Sequence, residues 1–95
     1  MGKTWKTFDL TETFSPIEDV SLQDFLKANA KFNVRVQFGA LRRLDPMMIE
    51  LLLCAAKAAQ ANGLAFELGN VPAEIDRVLK RLGVSEEILV RKVLV

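Results

Sequence analysis

Histidine is absent from these 95 residues. With it go the usual general base near neutral pH, the imidazole of nucleophile-histidine triads and the commonest metal ligand. A single cysteine, Cys54, cannot form an internal disulfide, which fits a reducing compartment. Within its Leu/Ala-rich surroundings it reads as a small buried hydrophobe, and one cysteine without histidine writes no clustered zinc site. Walker and GxGxxG phosphate loops are missing too, so neither catalysis nor a metal or cofactor is expected. Charge of one sign is equally scarce: 13 basic against 12 acidic residues leave a net +1. That gives no field to gather nucleic acid. No apolar run approaches the roughly 20 residues of a membrane span. The opening MGKTWKTFDL lacks a signal core, and Lys6 breaks the myristoylation pattern that Gly2 begins. The expectation is a cytoplasmic protein without membrane insertion.

What is present suits one small domain, since 51% of the residues are hydrophobic and the length allows a single core. Residues 7 to 14 alternate, with Phe8, Leu10 and Phe14 on one face and Glu12 interrupting it, as in a half-buried strand. A helix then starts either at Ser15-Pro16 with Glu18 or at Ser21 with Asp24, ends near Ala30, and buries Val20, Phe25 and Leu26 with Leu22 on its flank. FNVRVQF, residues 32 to 38, is the clearest strand, and one side of its sheet should be wet. LAFEL at 64 to 68 alternates in the same way. VPAEIDRVLKRLG follows as a helix with Val71, Ile75, Val78, Leu79 and Leu82 at core spacing, Lys80 and Arg81 in its last turn and Gly83 beyond. ILVRKVLV ends the chain as a strand or a short helix. The implied core is Phe32, Val34, Val36, Phe38, Leu51, Leu52, Ala55, Leu68, Ile75, Val78, Leu79 and Leu82, and strands alternating with helices imply an α/β sheet with right-handed crossovers.

The densest information lies in LDPMMIELLL, residues 44 to 53. Asp45 is a good N-cap and Pro46 suits the first helical position, where no amide hydrogen is missed. The helix runs to Gly63, and with Glu50, Lys57 and Gln60 as its only polar stripe it should be mostly enclosed.

The order strand, helix, strand, Asp-containing loop, Ala/Leu helix, strand and Val-Pro helix closing on Leu-Gly resembles the STAS domain, the family of anti-sigma factor antagonists and related regulatory modules. Residues 20 to 84 carry the resemblance, above all LDPMMIELLLCAAKAAQANG and LAFELGNVPAEIDRVLKRLG. It implies a STAS-like single domain over residues 1 to 95, with a small mixed β-sheet and helices chiefly on one face. It also implies a protein-binding loop, comprising Leu41, Arg42, Arg43, Asp45, Pro46, Met47 and Met48. In the family, a serine or threonine follows this Asp and is phosphorylated by a partner kinase that is also an anti-sigma factor. Here Pro46 stands there, and residues 41 to 48 hold no hydroxyl side chain. The family's glycine is replaced by Met48, which would place a flexible apolar side chain where a partner approaches the backbone.

A non-catalytic module that binds an anti-sigma factor or kinase-like protein, unswitched at the usual position, is the resulting expectation. The alternative is a STAS-type accessory subunit bound to the ATPase of an ABC lipid transporter. At least one of Met47 and Met48 should project outward, Arg42 and Arg43 beside Asp45 form a solvated loop with a local salt bridge, and Arg77, Lys80 and Arg81 form a solvated helix face. The apolar C-terminal segment seeks cover, either on its own domain or in a weak homodimer.

Overall fold

The computed structural model describes residues 4–84 and 88–92. Its elements are β1 (Trp5–Asp9), α1 (Ser21–Ala28), β2 (Asn33–Gln37), α2 (Pro46–Ala61), β3 (Phe66–Val71), α3 (Ala73–Arg81) and β4 (Leu89–Lys92). The strands lie side by side in sequence order, and every adjacent pair is parallel. The α/β class and the single small domain are as expected. The sheet is parallel where the sequence implies a mixed one, because each connection between described strands runs through a helix and returns the chain to the same end.

Right-handed crossovers between strands laid down in order put all three helices on one face. The core agrees: Leu22 of α1, Leu52 of α2 and Leu79 of α3 join Val34, Val36, Phe66 and Leu68 in one buried cluster. Each of those three leucines is fully buried, which stabilises the fold by about 1.5 to 3 kcal/mol apiece. Phe8 ties β1 to this layer, meeting the Phe25 ring at 5.2 Å and that of Phe14 edge-on at 6.2 Å.

The second face of the sheet is polar, as the alternation in β2 requires. Thr7, Arg35 and Glu67 stand in line across β1, β2 and β3. Arg35 Nε donates to Glu67 Oε1, and the guanidinium carbon lies 4.7 Å from the centre of the Trp5 ring. Glu67 is buried by this cover, so its charge is held in a hydrogen-bonded pair as burial demands.

Several element ends move, each for a local reason. β1 stops at Asp9 rather than near Phe14, because Leu10 N makes the last bond to β2, at Gln37 O (2.9 Å), and a turn from Thr11 to Phe14 follows. Ser15 does not start α1: its carbonyl accepts from Asp19 N at 2.9 Å to close a turn, Pro16 is buried, and the helix begins at Ser21. β3 begins at Phe66 rather than Leu64, since Leu64 N donates to Ala59 O at 2.8 Å and Gly63 N to Gln60 O at 3.1 Å, a Schellman closure of α2 over Gly63 at φ 68°. At its other end β3 slips register between Leu68 and Val71 through Asn70 at φ 49°, and Val71 turns fully inward.

The core also differs in detail. Val78 and Leu82 are exposed, because α3 is rotated so that Asp76, bonded to Lys80 at 3.2 Å, flanks buried Ile75 and Leu79 instead. In α1 the buried residue is Leu22, Phe25 and Leu26 are half-buried, and Val20 lies outside before the first turn. Phe32, Leu51 and Ala55 are half-buried, and Cys54 is exposed. With helices on one face of the sheet only, α2 buries Met48, Leu52 and Ala56, and its outer side meets solvent. The C-terminal segment is a strand over Leu89–Lys92, paired to the domain's own β3, while residues 85–87 and 93–95 lie outside the described part.

Candidate functional site

Chain direction brings the 39–48 loop to the carboxyl end of β2. Three local anchors fix it. Leu41 N donates to Phe38 O at 2.9 Å, and the Leu41 side chain is buried. Leu44 packs half-buried against the core. Asp45 Oδ1 accepts from Met47 N at 2.8 Å, and the Asp45 carbonyl takes Met48 N at 2.9 Å, so the cap forms as the sequence implies, with Pro46 first in the helix. Removing such a cap costs about 0.5 to 2 kcal/mol.

The residues expected to meet a partner divide into two groups. Arg42, Arg43, Pro46 and Met47 are exposed, and Asp45 is half-buried. Leu41 and Met48 are withdrawn into the core and present no surface. Met48 sits one turn before Leu52 on the buried stripe of α2, so its side chain does not fill the outer space that replacement of a glycine implies. Met47, one residue earlier, is 44% exposed and supplies the outward methionine.

A cleft of about 510 Å³ opens between this loop and the turn after β1, with Glu12, Ser15, Arg42, Arg43, Asp45 and Pro46 in its walls. Arg42 Nε meets Glu12 Oε1 at 2.8 Å. Both side chains are largely exposed, so water and salt screen the pair and it contributes little stability. Two cations and two carboxylates leave the cleft without net charge, and Arg43 is its cation without an ion pair among the described residues. Ile17 at 71% exposure and Val20 at 57% add apolar surface on the connection that follows the turn.

Glu12, Ser15, Ile17 and Val20 were not among the residues the sequence assigns to this surface. The break that Glu12 makes in the apolar face of residues 7 to 14 is the one sequence signal that could mark it. Ile17 and Val20 gave none, since apolar residues beside a helix start read as buried.

No family model matches the chain, and neither a curated protein nor a solved structure matches it. Among the described residues, no helix is long and apolar enough to cross a membrane.

Proposed function

We propose that this chain is a non-catalytic, cytoplasmic protein-binding module of the STAS type, acting like an anti-sigma factor antagonist through the loop at the carboxyl end of β2. The observation that carries the reading is the joint exposure of Arg43 and Met47 on a loop anchored by buried Leu41, half-buried Leu44 and the Asp45 cap. A preformed loop loses little conformational entropy on binding, and a cation beside an adaptable thioether suits a partner with an acidic rim around an apolar patch. Pro46 leaves the surface without a phosphate acceptor at the family's position, so control falls on the abundance of the protein or on its partner.

The test is capture by tagged protein from its native cells, comparing the wild type with a variant carrying Arg43→Glu and Met47→Asp. The double variant should keep its fold and lose the partner, since both side chains are exposed. A folded double variant that retains every captured protein would place the surface elsewhere. Capture of a transporter ATPase, lost in the same variant, would select the accessory-subunit alternative over the sigma-factor regulator.

A further inference from the structure

At the opposite end of the sheet, α1 and α2 diverge and leave a groove of about 350 Å³. Its floor is Val34 and Phe66, and its walls are Leu26 of α1 with Leu51, Ala55 and Ala58 of α2. The volume is near the lower end of small-molecule sites, which run from about 300 to 1,000 Å³. Alanines on α2 are what keep it open, since larger side chains at those positions would close the two helices over the sheet.

The polar groups at this groove are few. Lys27 is the single charged side chain among the described residues that line it. Asn29 and Asn62 have their amide nitrogens engaged, donating to Phe25 O at 2.8 Å and Ala58 O at 3.0 Å, carbonyls that also accept the backbone amides of the same two asparagines. Gln23, one turn before Lys27 on the same side of α1, has an Oε1 that is buried without a hydrogen-bond partner among the described residues. A half-turn of that amide exchanges its acceptor for the Nε2 donor.

We propose that the groove binds a medium-chain amphiphile, with its apolar tail on Val34, Phe66 and the α2 alanines and a single anionic head at Lys27. The tail removes exposed carbon surface from water on both partners. Lys27 selects the sign of the head, and the Gln23 amide supplies a donor beside it. The site lies at the amino ends of β2 and β3, away from the Arg43 and Met47 loop, and the proposal does not rest on the reading of that loop.

Cys54 lines the groove, is exposed, and is the only cysteine of the chain, which makes it a built-in reporter. The experiment measures alkylation of Cys54 by neutral iodoacetamide in the full chain, alone and with decanoate, decanol or decyltrimethylammonium, all kept below micelle formation. Decanoate should slow the reaction in a saturable way, and decyltrimethylammonium should not. Lys27→Gln should weaken decanoate by about two- to five-fold, the worth of one exposed charge contact, and leave decanol unchanged. Ala58→Trp, at an exposed position that tolerates a large side chain, should fill the groove and abolish protection. Amide shift mapping with decanoate gives a second readout, with changes expected around Leu26, Ala55 and Phe66. The proposal fails if no probe protects Cys54 or shifts those amides, or if anion and cation protect equally. It also fails if protection rises with protein concentration alone, which would mean that a second copy of the chain covers the groove.

Discussion

The Gln37 side chain lies across Gly69, so closely that a β-carbon on the glycine would stand 2.5 Å from Gln37 Oε1 and 3.2 Å from the Arg35 δ-carbon. The two residues are register partners in β2 and β3, and the missing side chain on one lets the other lie flat over the polar face of the sheet. Gly69→Ala should therefore cost about 1 to 3 kcal/mol, the usual penalty for forcing an extra carbon into a filled site. Because the nearest obstacle is the far end of a flexible side chain, Gln37→Ala should recover part of that loss. In urea unfolding the pair should show coupling of about 0.5 kcal/mol or more. Additive effects would mean that Gln37 does not lie over Gly69 in solution.

On α3 the rotation toward Asp76 separates two leucines that the sequence alone treats alike. Leu79→Ala should lower stability by about 2 to 5 kcal/mol, a large share of the total for a domain of this size. Leu82→Ala, at a position 56% exposed, should stay within about 0.5 kcal/mol. Equal costs at the two sites would place the helix face differently.

Acid should act at the start of α1. Asp19 is held below the ordinary carboxylate value of 3.8 by bonds from Ser21, first its hydroxyl and then its backbone amide. A group whose pKa is lowered on folding contributes stability that is present above 3.8 and lost as the pH falls through the folded value. Asp19→Ala should thus be less stable than the wild type at pH 7, and the gap should narrow as the pH drops below 3.8. Chemical denaturation across that range measures it, and a gap independent of pH would remove the carboxylate from the account.

Incubation with a protein kinase should leave the 41–48 loop at its unmodified mass, since no hydroxyl is present there. Ser15 borders the same cleft as Arg42 and Arg43, so intact-mass and peptide mapping should treat it separately. A phosphate recovered there would relocate the switch within the same surface.

Much of this molecule is legible in its sequence, because periodicity and caps are local properties. The strand at residues 32 to 38, the Asp45-Pro46 start and the Gly63 stop all fall within a residue or two of the structure. What escaped depends on which way an element is rolled. A hydrophobic pattern places Val78 in the core, and only the position of the sheet shows that Asp76 faces it instead. The Ala/Leu composition of α2 implies an enclosed helix, whereas a sheet with helices on one side leaves that helix an outer surface and exposes Cys54. Of the loop, the sequence places Arg42 and Arg43 in solvent and one of the two methionines outward; that the outward one is Met47, and that Leu41 and Met48 are withdrawn, only the structure shows.

A parallel sheet whose strands pair in the order they are made has a consequence for how the chain is produced. Each strand after β1 leaves the ribosome with its preceding partner already synthesised, and none of these has to wait for a later one. Growth is vectorial, with a single advancing edge formed in turn by β2, β3 and β4. Nascent chains halted after β3 should thus already carry the first two crossovers, and the register slip at Asn70 would be set only when the last strand arrives.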